Sequence, residues 1–139
     1  MFRNVFFIFV ALIGLFACSM PGGKNETSAA PGFYASEEAL FKNCYWSGSS
    51  GNGFIFYLEM KNGSMELRIW ENGSFTTYVA IPGSISLNGN VWSGKFQHPS
   101  SVNVIYTASM VVNSKNGATG SFHSAGSNFP TIHMGKTIR

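Results

Sequence analysis

Asn-Gly pairs recur through this chain, at Asn62-Gly63, Asn72-Gly73, Asn88-Gly89 and Asn116-Gly117, and each stands between short runs in which apolar and polar residues alternate. A two-residue hairpin turn needs positive φ at both central positions, which Asn and Gly tolerate better than other residues. Such a turn leaves no room for a crossover, so the strands it joins are antiparallel neighbours. The flanking runs are rich in Phe, Tyr, Val, Ile, Thr and Ser, the residue types that suit a pleated, half-buried surface. The fold class that satisfies these constraints is an antiparallel β meander.

The first hairpin fixes its own register. Phe54, Phe56, Leu58 and Met60 share one face of a strand, and Met65, Leu67 and Ile69 share a face of the next. A two-residue turn at Asn62-Gly63 sets Met60 opposite Met65, Leu58 opposite Leu67 and Phe56 opposite Ile69, so turn chemistry and hydrophobic pattern agree. At Asn72-Gly73 they conflict. A two-residue turn pairs Leu67 with Tyr78 and sends Val79 and Ile81 to the polar face. A three-residue turn with a bulge pairs Leu67 with Val79 and Ile69 with Thr77, and the apolar pattern favours this version.

Further runs follow at 84–87, 91–96, 102–112, 118–124 and 130–138, separated by Asn88-Gly89, a loop at 98–101, Asn116-Gly117 and a loop at 126–128. Val102, Val104, Tyr106, Ala108, Met110 and Val112 read as the inner face of the longest strand. Before the meander, Ser36 is a good N-cap for a short helix carrying Glu37 and Glu38 in its first turn and Leu40 and Phe41 toward the sheet. Cys44-Tyr45-Trp46 opens the first strand, and residues 47–53 read as a loop. The expected fold is all-β, a meander of about eight strands closed into a small up-and-down barrel, in a single domain spanning 33–139. A two-sheet β-sandwich is the alternative. Closure has the advantage of removing edge strands.

The N-terminus has a different character. Arg3 precedes an apolar run from Val5 to Ala17, shorter than the ~20 residues a membrane-spanning helix needs. A charged start, a short apolar core and a small residue before a break are the layout of a secretory signal peptide, here 1–17. Leu15-Phe16-Ala17-Cys18 resembles the lipobox of bacterial lipoproteins. That resemblance implies a diacylglyceryl thioether on Cys18, cleavage before it and acylation of the new amine. Phe16 departs from the pattern, which has a smaller residue there. Ser19, in place of the Asp that marks inner-membrane retention in that class, implies an outer-membrane destination. Ordinary signal cleavage, with Ala17 and Ser19 as the small residues, releasing a soluble protein, is the competing reading. Residues 18–32, with three Gly and two Pro and almost no large apolar side chain, read as a flexible tether behind the anchor.

Composition excludes several chemistries. All six acids are Glu. A chain without Asp has no Asp-based calcium loop, Asp dyad or Ser-His-Asp triad. No Gly-x-Ser-x-Gly elbow and no Gly-rich phosphate loop is present. His123 and His133 fall opposite Phe122 and Ile132, hence on the outside of a barrel, and no metal site is expected from them. Lys and Arg are too scattered for a nucleic-acid surface. Once Cys18 is acylated, Cys44 has no partner and reads as a buried small hydrophobe.

Glu59 and Glu66 oppose each other in the first hairpin, with Arg68 next along. The spacing admits a glycosidase-like carboxylate pair, but solvent-facing cross-strand charge pairs are the simpler reading. Tyr57, Trp70 and Tyr78 fall opposite the core stripe of three successive strands, with Arg68 beside Tyr57 and Tyr78. Aromatics beside an Arg stack on sugar rings or on a protein partner. They equally suit the second layer of a sandwich. The expectation is a non-catalytic, cofactor-free envelope module, held to the membrane at Cys18. Its ligand would be a protein, a glycan or a small apolar molecule, met through Tyr57, Arg68, Trp70 and Tyr78. A structural lipoprotein without soluble ligand and an inhibitor of an extracellular hydrolase are the other readings.

Overall fold

The computed structural model describes residues 32–139, so the signal segment 1–17, Cys18 and the tether up to residue 31 lie outside the described residues. The elements are α1 (Glu37–Phe41), β1 (Cys44–Ser49), β2 (Ile55–Lys61), β3 (Ser64–Glu71), β4 (Ser74–Ala80), β5 (Ser86–Asn88), β6 (Val91–His98), β7 (Ser101–Val112), β8 (Gly117–Ser124) and β9 (Ser127–Ile138). All pairings are antiparallel and run β4-β3-β2-β1-β9-β8-β7-β6, and a β4–β6 pairing closes the ring. The fold is therefore a closed up-and-down barrel of eight strands. The ninth strand, β5, pairs with β6 outside the ring, and the sandwich alternative is excluded.

The interior is apolar and filled. Trp46, Trp92, Phe56, Phe96, Phe122, Leu58 and Leu67 are completely buried. Phe56 stacks on Phe122 with ring centroids 4.4 Å apart. α1 covers one end of the core with Leu40 and Phe41, both buried. It starts as its sequence dictates, with the Ser36 hydroxyl accepting from the Ala39 N–H at 3.1 Å. Its Leu40 carbonyl accepts from the Trp46 indole N–H at 3.1 Å, which joins the helix to the first strand of the barrel. The Cys44 thiol lies on the same carbonyl at 3.3 Å, buried, and burial pushes its pKa up.

The Asn62-Gly63 hairpin has the expected register, with Met60 on Met65, Leu58 on Leu67 and Phe56 on Ile69. The Asn72-Gly73 hairpin does not. Both its central residues have positive φ, 52° and 85°, nearly the values of Asn62 and Gly63. This is a two-residue turn, and it pairs Leu67 with Tyr78 and Glu66 with Val79. Turn chemistry overrides the apolar pattern. Tyr78 enters the barrel, 8% exposed, and Val79 is left outside, 39% exposed.

The expected inner face of the longest strand holds only from Tyr106 onward. Val102 is 72% exposed, and Val104 is exposed as well. β7 outruns β8, whose first pair with it is Thr107 with His123, and its register with β6 shifts near Gln97 and His98. Ahead of Tyr106 the strand has no barrel to face. Two boundaries also move. β1 continues through Ser49 into the expected loop, and β9 begins at Ser127, ahead of Pro130. Pro130, which lacks an N–H, falls where the β8–β9 register breaks between Gly120 and Phe122.

Closure brings β1 between β2 and β9, and Gly48 pairs with Phe56 on one side and Met134 on the other. A Cβ on Gly48 would collide with the His133 carbonyl oxygen and lie 2.7 Å from Ile132 Cγ2, whereas a Cβ on Gly135 meets nothing within 4 Å. Gly48→Ala is therefore expected to lower stability by about 1–3 kcal/mol through overpacking. Gly135→Ala should change it by less than ~0.5 kcal/mol. Urea unfolding of the two variants side by side checks this.

Candidate functional site

Alternation along β1 to β4 puts one set of residues into the core and the other onto a continuous outer surface. On β3, Met65, Leu67 and Ile69 point inward and Glu66, Arg68 and Trp70 outward. Cross-strand pairing then sets Arg68 on Tyr57 and on Thr77, Trp70 on Ile55 and on Phe75, and Glu59 on Tyr45 and on Glu66. The resulting outer patch contains Tyr45, Tyr57, Trp70 and Phe75 with Arg68 among them.

Its rings are in contact. Tyr45 and Tyr57 are 5.9 Å apart, Tyr57 and Phe75 5.5 Å, and Trp70 and Phe75 4.8 Å. The Arg68 guanidinium sits 5.6 Å from the Tyr57 ring centre and 5.0 Å from that of Phe75. Arg139 lies 5.6 Å from the ring of Tyr45. Each such cation–π contact contributes about 0.5–1 kcal/mol at an exposed site. Phe75 remains 45% exposed.

Beneath the patch is a carboxylate. Glu59, expected to face solvent, is 1% exposed, the one buried charged residue among the described residues. Arg68 Nε is 3.0 Å from Glu59 Oε1, an ion pair made by distance without hydrogen-bond angles, and Arg139 pairs with Oε2. Two long guanidinium side chains and the neighbouring rings cover it. A carboxylate clamped by two arginines serves to position them and is poorly suited to act as an acid or base. Arg68 is thereby held between two rings instead of sweeping through solvent.

Of the residues singled out from sequence, Tyr57, Arg68 and Trp70 come together in this patch. Tyr78 does not join them. It points into the barrel near its open end, edge-to-face with Tyr106 at 5.0 Å and with His98 at 5.5 Å. Burial, with lesser contributions from Tyr106 and Glu71, raises its pKa. Cys18 lies outside the described residues. Sequence reasoning missed Phe75, Tyr45, Glu59 and Arg139 as members. Phe75 was within reach, because a two-residue turn at Asn72-Gly73 places it on Trp70 directly. Arg139 was not, because its place depends on β9 pairing with β1, with the Arg139 N–H on the Asn43 carbonyl at 2.8 Å. His123 and His133 are exposed on adjacent strands, and no three His, Cys, Asp or Glu side chains converge among the described residues.

Replacing Glu59 with Gln leaves both guanidiniums without their charge partner. Glu59→Gln should lower stability by about 1–3 kcal/mol, less than breaking a fully buried ion pair costs because both arginines reach solvent. Glu66→Gln should stay within about 0.5 kcal/mol. Chemical denaturation of the pair, with tryptophan fluorescence as readout, measures the difference.

No protein-family model and no curated protein matches this chain. Among solved structures it is similar to Tp0751 (pallilysin) of Treponema pallidum, with a TM-score of 0.54 and 8% sequence identity over 71% of this chain and 81% of that one. At that identity the likeness is one of fold.

Proposed function

We propose that this protein is a non-catalytic binding module of the bacterial cell envelope, anchored by lipid at Cys18, that holds a protein partner on the outer patch of β1–β4. The observation that carries the reading is the Arg68 guanidinium fixed between the Tyr57 and Phe75 rings by the buried Glu59. Trp, Tyr and Arg are the residues at which protein interfaces concentrate binding energy. Here they are ordered before any partner arrives, which reduces the entropic cost of association. The patch spreads over the outside of four strands, so it suits a broad partner better than a small molecule. The barrel interior, occupied by its own Trp, Phe and Leu side chains, favours no small apolar guest. A glycan strand is the other ligand that stacked aromatics serve.

The anchor rests on Leu15 to Cys18 and on the short apolar run before them. Two saturated acyl chains, at ~0.8 kcal/mol per buried methylene, hold a protein at a bilayer durably where one chain does so marginally. Residues 19–32 would give the barrel freedom to reach a partner beside the membrane.

Two measurements test the two halves. The exported protein should have the intact mass of residues 18–139 plus acyl chains and partition with membranes, and Cys18→Ala should lose both properties. An unmodified, soluble wild-type protein would remove the anchor. Separately, immobilised wild-type protein should retain a discrete envelope protein that Trp70→Ala and Phe75→Ser release at least tenfold more readily. Retention of purified peptidoglycan with the same mutant sensitivity would make the ligand a glycan, and retention indifferent to both substitutions would remove the patch.

A further inference from the structure

A cleft of about 450 Å³ opens at the end of the barrel where β7 outruns β8. In the β7–β8 register Thr107 pairs with His123, but β8 turns back into β9 at Ala125 and Gly126. Asn103 to Ile105 therefore continue past their neighbour and form one wall, and the turn Ser124 to Ser127 forms the other. Tyr78 and Tyr106 line the cleft from inside the barrel, their rings edge-to-face. Neither hydroxyl is a buried orphan, and neither makes a hydrogen bond among the described residues, so both are open to a ligand.

Three properties specify what would fit. The cleft is lined by Tyr78 and Tyr106 and by the exposed residues Val104 and Ile105. Its lining residues with polar side chains, Asn103, Ser124, Ser127, Tyr78 and Tyr106, are all neutral. It contains no Lys, Arg, His, Asp or Glu side chain. A charged ligand would be desolvated there without a counter-charge. A wholly apolar one would leave the polar groups without partners. A pyranose ring satisfies both demands, with a C–H face for the aromatic rings and an equatorial set of hydroxyls for the rim. The volume lies in the lower part of the range for small-molecule sites, about 300–1,000 Å³.

We infer that the β7/β8–β9 cleft is a binding site for an uncharged sugar residue of a glycan, lined by Tyr78 and Tyr106 and rimmed by Asn103, Ser124 and Ser127. It is separate from the outer patch, so the protein-binding reading and this one stand or fall independently.

The test uses the full-length chain in phospholipid nanodiscs, titrated with cellotriose, maltotriose, tri-N-acetylchitotriose and, as the charged control, trigalacturonic acid, followed by saturation-transfer NMR and calorimetry. At least one neutral trisaccharide should bind saturably, and the acidic one at least tenfold more weakly. Ala125→Trp, which adds a ring to the exposed turn and fills the cleft without touching the core, should weaken that binding at least tenfold with the melting temperature unchanged. Trp70→Ala should leave it intact. The inference is overturned if no neutral sugar binds, if the acidic sugar binds equally well, or if Ala125→Trp has no effect. Loss of sugar binding in Trp70→Ala would overturn it too, by moving the sugar to the outer patch.

Discussion

The barrel depends on a narrow seam. β4 and β6 meet over two residue pairs, Val79 with Gln97 and Ala80 with Phe96, because β5 occupies the other half of the β6 edge. The Ile81 N–H extends the seam to the Lys95 carbonyl at 2.8 Å. Past that point the backbones diverge and a side chain takes over: the Ser84 hydroxyl accepts from the Lys95 N–H at 3.1 Å and lies 2.7 Å from the Ile81 carbonyl. Without this junction the sheet would have two open edges, and its Trp and Phe face would be exposed along a split. Once Trp46, Trp92 and the stacked Phe56 and Phe122 occupy the interior, only a closed ring shields them.

The architecture was legible in the sequence because local and global signals agreed over most of the chain. The Asn62-Gly63 turn and the alternation on both sides of it require one register, and that register occurs. Asn72-Gly73 shows what happens when they disagree. Counting apolar residues favours Val79 inside, but the turn needs no bulge and Tyr78 takes that place. An interior tyrosine satisfies the core with its ring and brings its hydroxyl to the open end, a compromise that binary patterning does not represent. Val102 and Val104 misled for a different reason. Alternation reports which residues share a face, but not whether the neighbouring strand is long enough to cover it.

The outer patch was partly legible for the same reasons. Tyr57, Arg68 and Trp70 lie on strands joined by a turn that fixes its own register. Phe75 depended on the second turn. The burial of Glu59 depended on Arg139, about eighty residues further on, and no local pattern carries that information. An ion pair between distant strands becomes visible only once the ring is closed, whereas periodicity already separates inside from outside.

The pairing of β1 with β9 has a consequence for when the fold can form. The strand nearest the start of the described chain needs the one nearest its end for half of its hydrogen bonds. A chain threaded through an export channel from its N-terminus cannot close the ring until β9 has emerged. Until then β1 to β8 present a partly open sheet with an aromatic face. Contacts between residues so far apart in sequence also place folding at the slow end for a domain of this size. If the protein is exported as proposed, delivery to the far side of the membrane would precede the native state, and any factor that shields the waiting sheet would recognise it by the edges of β1 and β8, which β9 later covers.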